Sequence, residues 1–324
     1  MSIIEKFRIS AKHKNRTIVL PEGGEERIIK AAGYLAEHEL VKPILLGDES
    51  KIKSQSDALG INLSNVRIED PQKSPMLDPW TDDFFNIRKH KNITRDEARS
   101  ALLDPLFFGA FMVRTGKADG AVAGSINTTG NVLRAGIQVI GLADNVSVVS
   151  SSFIMSLKQE KILTFADCAV IPDPDEDQLA SIAISSAKTH SRLVEEEPRI
   201  AMLSFSTKGS AKHPNVDKVI GATSLVSEKD PTLIVDGELQ FDAAFLESVG
   251  KKKAPGSPVA GNANVLIFPD LNSGNIGYKI AQRLGEAEAI GPIIQGLKHP
   301  FNDLSRGCSV EDVINVSCIC ALMS

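Results

Sequence analysis

Cysteine is scarce, and its spacing is wrong for a scaffold of staples. The four cysteines are Cys168, Cys308, Cys318 and Cys320. Three crowd into one late segment, and none forms a CxxC pair. That argues against a disulfide framework and against a zinc site. A charged-then-apolar N-terminal signal is also missing, and no apolar run is long enough to span a bilayer. The expected location is therefore the cytosol. The formal net charge is only −5, which argues against a nucleic-acid or membrane surface as partner. There is no internal repeat, low-complexity tract or compositional linker, so composition alone marks no domain boundary.

What is present is ordinary for a globular protein: 42% hydrophobic and 24% charged residues in a chain of 324. That length is long for one core, and two domains of roughly 150 residues are expected. Thr17–Leu20 reads as a short buried strand and Pro21–Gly24 as a turn. A helix follows from about Glu25, with Ile28, Ile29, Ala32, Leu35 and Ala36 on one face. Pro43–Gly47 is the next strand and turn. Strand, helix, strand in that order favours a parallel sheet. Gly23-Gly24 lacks the lysine and spacing of a P-loop and the GxGxxG fingerprint, so it reads as a plain strand-to-helix turn.

Asp48–Asp70 reads as an α–β connection, and Pro79–Arg114 as helical. The run Arg88-Lys89-His90-Lys91 is either a solvated helix face or a cationic contact for an anion. Ala118–Gly124 is a strand of small residues, which permits close backbone approach. Ser125-Ile-Asn-Thr128-Thr129 follows and opens a helix through Val132, Leu133, Ile137 and Ile140. Hydroxyls and free N–H groups there suit an anion, so Ser125, Thr128 and Thr129 are candidate ligands. Thr128 or Thr129 equally suits a helix cap. Pro172–Asp177 has the acids of a metal loop, but prolines and acids before a helix read better as a turn and N-terminus. Ser204–Ser210 is either a second anion loop or a flexible polar surface loop.

Ile290–Asp312 carries the densest chemistry. It starts apolar and breaks at Gly296 and Pro300. A polar cluster, Asn302–Gly307, then leads to a helix expected to bury Val313, Ile314 and Val316. Ser305 has no GxSxG elbow and no nearby histidine, so a covalent serine is disfavoured. A hydroxyl that donates to developing negative charge fits it better. Arg306 offers a planar fork suited to phosphate. Ser309-Val-Glu-Asp312 fits a capping box, and Asp312 either satisfies a helix end or serves as a general base. Cys308 reads as a packing residue.

Ile290–Asp312, Ile267–Arg283 (IFPDLNSGNIGYKIAQR), Asp119–Gly136 (DGAVAGSINTTGNVLRAG) and LPEGGEERIIKAA near the start together resemble the phosphate acetyltransferase (phosphotransacetylase) family over nearly the whole chain. The resemblance implies reversible acetyl transfer between coenzyme A and inorganic phosphate, through a ternary complex, with no acyl-enzyme, no cofactor and no metal. By motif position, Ser305 would stabilise the transition state, Arg306 would hold phosphate and Asp312 would take the proton from the CoA thiol. Arg88, Arg134 and Arg283 match arginines linked to CoA or anion binding. Phe205, in the SFST loop, departs from the pattern in its side chain.

The implied fold is two three-layer α/β/α domains with the active site in a cleft between them, similar to isocitrate and isopropylmalate dehydrogenases. The first would comprise residues 1–145 plus 294–324 and the second 146–293, in a homodimer. A phosphate butyryltransferase is the nearest variant. An oxidoreductase on the same fold and a non-catalytic domain sensing acetyl-CoA are the rival readings. The first lacks a convincing set of metal-binding aspartates. The second sits poorly with the retention of Ser305, Arg306 and Asp312.

Overall fold

The protein is described from a computed structural model, covering residues 2–158 and 161–324. The chain divides into two compact units, Met1–Gly141 with Leu297–Ser324, and Leu142–Gly296.

The first unit begins α1 (Ile3–Lys14), β1 (Thr17–Leu20), α2 (Glu26–Glu37), β2 (Lys42–Leu46), α3 (Glu49–Leu59), β3 (Arg67–Glu69), α4 (Leu77–Arg88), α5 (Arg95–Leu102), α6 (Pro105–Arg114), β4 (Gly120–Ala123) and α7 (Thr129–Ala135). The second unit runs β5 (Ser150–Ser156), β6 (Ile162–Ala166), α8 (Glu176–Val194), β7 (Arg199–Leu203), α9 (Pro214–Lys229), β8 (Ile234–Leu239), α10 (Phe241–Phe245), α11 (Glu247–Lys253), β9 (Val265–Ile267), α12 (Leu271–Arg283) and β10 (Glu288–Gln295). The chain then returns to the first unit with β11 (Phe301–Asp303) and α13 (Val310–Met323).

The sheet of the first unit is parallel throughout, in the order β11-β4-β1-β2-β3. Alternate side chains serve opposite layers, as the two-residue period of a strand requires. Val19, Ile44, Ala121, Ala123 and Phe301 pack with Trp80, Phe84, Phe108 and Phe111 of α4 and α6. Their neighbours Ile18, Leu20, Leu45 and Val122 are buried too, outside that cluster. On that other side α1, α2 and α13 pack together. The expected α–β connection after Asp48 resolves into α3 and the edge strand β3.

Close approach explains the glycine of β4. A Cβ on Gly120 would stand 2.5 Å from Cys320 Sγ, so α13 lies directly against this strand. Arg8 of α1 holds α13 in register, with Nε and Nη2 donating to Asn315 Oδ1 at 3.0 and 2.7 Å. Val313 and Ile314 are buried as the pattern predicts, but Val316 is half-buried; the core side continues instead through Ser317–Leu322.

The second unit has a mixed sheet, β10-β5-β6-β9-β7-β8. β5 runs antiparallel to both β6 and β10, so the parallel rule read from the first elements does not extend here. Helices α8 and α9 cover one face through Ile200, Met202, Val265 and Ile267. Phe153, Phe165, Leu203 and Leu266 pack on the other with Ala244, Ala254 and Tyr278. The acids of Pro172–Asp177 serve structure: Asp175 caps α8 in a capping box with Gln178, while Asp173 and Asp177 pair with Lys218 and Lys229.

Candidate active site

Three connections gather at one end of the first unit's parallel sheet: the turn after β1, the loop after β4 and the loop after β11. Carboxyl ends of parallel strands are where open α/β sheets place their ligands. The backbone ladder holds these exits together, because Leu304 N–H donates to the carbonyl of Ala123 at 2.7 Å.

The loop after β4 is an anion cradle, and it is already filled. Glu22, 5% exposed, projects from the turn after β1 into it. Its Oε2 accepts from Gly124 N–H at 3.0 Å, Ser125 N–H at 2.7 Å and the Ser125 hydroxyl at 2.5 Å. Its Oε1 accepts from Ile126 N–H at 3.2 Å and from Asn127 N–H and Nδ2 at 2.9 Å each. Burial by itself raises the pKa of this carboxyl, but the hydrogen bonds from Ser125, Asn127 and Ile126 outweigh it and hold the group below the usual range. The N–H groups read from sequence as waiting for a ligand therefore serve the chain's own carboxylate. Ser125 is buried and committed to that contact. Thr128 caps α7, its Oγ1 accepting from Asn131 N–H at 3.2 Å. Thr129 donates its hydroxyl to Asp303 Oδ2 at 2.6 Å.

Asp303 ends β11 and is 4% exposed. Its Oδ1 has no hydrogen-bond partner among the described residues. Burial pushes its pKa up to about 6; the Thr129 hydroxyl opposes that rise and the charge of Glu22 adds to it. Gly124 makes room for this group. It sits at φ +107°, and a Cβ there would lie 2.3 Å from Asp303 Oδ1.

Arg27, on the first turn of α2, clasps two loops by their carbonyls. Nη1 donates to Arg306 O at 2.8 Å and Cys308 O at 2.9 Å, and Nη2 to Ser125 O at 2.9 Å. Glu25 holds the guanidinium in place, accepting from Nε at 2.5 Å. Glu22, Arg27 and Asp303 are the residues that sequence reasoning missed. The available signal was position: Glu22 and Asp303 lie at or just beyond strand ends, and Arg27 lies on the first turn of the helix after β1.

Above this buried tier the loop after β11 presents its chemistry. Ser305 and Arg306 are exposed. Cys308 N–H donates to Ser305 O at 2.9 Å, closing a tight turn. Ser305 Oγ accepts from Gly307 N–H at 3.3 Å, which leaves its own hydrogen free to donate. Asp312 both caps and remains available. Oδ2 accepts from Ser309 N–H at 2.8 Å and from the Ser309 hydroxyl at 2.9 Å, while Oδ1 carries no hydrogen bond to a described residue. Cys308 is buried, and burial raises its thiol pKa against the opposing charge of Arg27, so it is a poor nucleophile.

Two sets of arginines can be told apart. Arg8, Arg16, Arg27, Arg67, Arg95, Arg99, Arg114 and Arg199 all donate to protein oxygens. Arg88, Arg134, Arg283 and Arg306 have no acceptor among the described residues. Arg88 ends α4 half-buried, Arg134 is exposed on the last turn of α7, and Arg283 is exposed at the end of α12 in the second unit. The Ser204–Ser210 loop, the other candidate cradle, also holds an internal acid: Ser206 Oγ and Gly209 N–H donate to Glu238 Oε1 at 2.9 and 2.8 Å.

Comparison with known proteins gives one consistent neighbourhood. A family profile described as phosphate acetyl/butaryl transferase matches residues 2–321. The chain is similar to the phosphate acetyltransferase of Thermoanaerobacterium thermosaccharolyticum, with 48% identity over 98% of this chain and 97% of that one. It is 47% identical to the phosphate acetyltransferase of Clostridium acetobutylicum, over 98% and 97% of the two chains. A crystal structure of a phosphotransacetylase from Streptococcus pyogenes superposes with a TM-score of 0.94 at 44% identity, covering 99% of this chain and 98% of that one.

Proposed function

The chain belongs to the phosphate acetyl/butaryl transferase family, and from that premise we propose that it is a phosphate acetyltransferase, moving an acetyl group reversibly between coenzyme A and inorganic phosphate. The observation that carries the reading is the contrast within one loop cluster. The buried tier of Glu22, Arg27 and Asp303 is taken up by internal contacts, while Ser305, Arg306 and Asp312 reach solvent with free donor or acceptor positions.

In the direction that makes acetyl-CoA, Asp312 Oδ1 takes the proton of the CoA thiol. The sulfur attacks the carbonyl carbon of acetyl phosphate and forms the C–S bond. Negative charge moves to the carbonyl oxygen, where the Ser305 hydroxyl donates to it. The C–O bond to phosphate then breaks, and phosphate leaves against the Arg306 fork. In reverse, a phosphate oxygen attacks acetyl-CoA and Asp312 returns the proton to the departing sulfur. The cap from Ser309 restrains the carboxylate through Oδ2 without occupying Oδ1. Preorganised donors of this kind are worth about 100- to 1,000-fold in rate each. Arg88 and Arg134 of the first unit take phosphates of CoA, and Arg283 is a candidate anion contact on the second unit; each guanidinium has no internal acceptor among the described residues.

The proposal extends to a homodimer in the cytosol. Ile276, Ile280 and Leu284 are 56%, 53% and 82% exposed along one side of α12, an apolar stripe suited to a second copy. No helix among the described residues is long and apolar enough to cross a membrane.

Thiol release from acetyl-CoA, with and without inorganic phosphate, tests the activity, with butyryl-CoA as the competing acyl donor. Phosphate-dependent release favouring acetyl-CoA is expected. Binding of acetyl-CoA without release would instead favour a sensing domain. Asp312→Asn should keep the fold and lose turnover by about 100- to 10,000-fold. A near-normal rate in that variant would leave Asp312 only its cap.

A further inference from the structure

We propose that Asp303 is a positioning residue for the acyl transfer, its carboxylate latching Thr129 at the start of α7 to the strand end from which Ser305 and Arg306 depart. The inference rests on the proposed function, since it concerns how that reaction's donors are held.

Several features of the site single out this group. Asp303 is buried, yet only Oδ2 has a partner, the Thr129 hydroxyl at 2.6 Å. Oδ1 has none among the described residues. A buried acceptor left this way is costly, and such a site needs a reason. The backbone has been shaped around it as well: only glycine fits at position 124, where a Cβ would strike Oδ1. The next residue, Leu304, is pinned to Ala123 by its N–H at 2.7 Å. Ser305 and Arg306 follow directly, so the seating of Asp303 and Leu304 sets where their loop leaves the sheet.

Charge around the latch is sparse. β4 contributes no ionisable side chain. α7 contributes Arg134, which is exposed, and the first turn of α13 contributes Glu311 and Asp312, both exposed. From the turn after β1 comes Glu22, whose buried charge raises the pKa of Asp303. Burial is the larger cause, and together they place the group at about 6. Above that pH the carboxylate accepts a charge-assisted bond from Thr129, and the latch is tight. Below it the protonated acid accepts weakly, and the loop carrying Ser305 loosens.

The test is the pH dependence of kcat for the wild type, Asp303→Asn and Thr129→Val, with circular dichroism at each pH to confirm folding. The wild type should show an acid limb with a midpoint near pH 6. Asp303→Asn mimics the protonated acid, so it should lack that inflection and run at the wild type's low-pH rate throughout. Losing the donor in Thr129→Val should lower the plateau by about 10- to 100-fold, the scale of a small misplacement near the reacting atoms. It should also move the midpoint upward, because the bond that lowers the pKa is gone. Infrared titration of the carboxyl band, read as wild type minus Asp303→Asn, should give the same midpoint without using turnover. The latch is overturned if the inflection persists in Asp303→Asn, or if Thr129→Val matches the wild type in plateau and midpoint. A wild type that releases no thiol at all would instead remove the functional reading on which the latch rests.

Discussion

Glu22 and Asp303 are both carboxylates buried at the same end of the same sheet, and the protein treats them oppositely. Glu22 accepts from Gly124, Ser125, Ile126 and Asn127 with both oxygens, and its pKa is held down. Burial of Asp303 is opposed only by the Thr129 hydroxyl and, more weakly, by the Leu304 backbone, and its pKa climbs to about 6. Burial is the first influence on each, so burial does not decide the outcome. The number of donors that meet the charge decides it. One acid is a structural fixture of the loop after β4. The other is left close to its ionisation point beside Ser305 and Arg306.

The largest expected effect falls on the fully hydrogen-bonded member. Glu22→Ala should destabilise the first unit by roughly 3–5 kcal/mol, because it strands several buried N–H donors at once. Urea unfolding followed by circular dichroism measures it, and a loss below about 1 kcal/mol would contradict the account of the nest. Asp303→Asn probes the opposite sign. The folded pKa of about 6 lies above the unfolded value of about 3.9, so ionisation of Asp303 burdens the folded state. That burden is absent below pH 3.9, grows as pH rises towards 6, and is complete above it, at about 3 kcal/mol. The variant should therefore gain on the wild type by about 3 kcal/mol between pH 4 and pH 8; a gap that stays constant with pH would break the comparison.

Arg27→Met sharpens it from the side of the clasp. It keeps the apolar stem and removes the donors to Ser125, Arg306 and Cys308, so a loss of about 1–3 kcal/mol is expected together with a lower kcat. Unchanged turnover would separate the clasp from the site. The smallest effect belongs to Ser309→Ala, which removes the side-chain cap of α13 for about 1 kcal/mol and leaves Asp312 Oδ2 with only the Ser309 N–H. Thermal melts at neutral pH resolve that.

Much of the fold was legible from local pattern. Thr17–Leu20 reads as a strand and is a strand with those bounds. The Ser309–Asp312 capping box was also visible, since its partners lie within one turn. The loop cluster was less so. Asn302 and Asp303 read as part of a polar break, yet they complete a strand, because β4 lies beside them and supplies the ladder. Glu22 read as a turn residue and Arg27 as one polar side of a helix, because their partners sit about 100 to 280 residues further along the chain. The small residues of β4 were noticed, but their reason differs from the one inferred. Gly120 admits Cys320, and Gly124 admits Asp303. Spacing shows that backbones approach closely at such a place; it does not show what approaches.

The order of the chain carries its own consequence. β11 and α13 belong to the first unit but follow the whole of the second unit in sequence. During synthesis the segment Leu142–Gly296 is continuous and has all its strands before β11 has been made. The first unit at that moment has Glu22 and the loop after β4, but Arg27 has neither Arg306 nor Cys308 to clasp. A nascent chain can thus acquire a folded second unit while Ser305, Arg306 and Asp312 do not yet exist, since domains tend to fold as units as they emerge. Assembly of the reactive loop must wait for β11 and α13, so chains that stop short of them are silent rather than partially active.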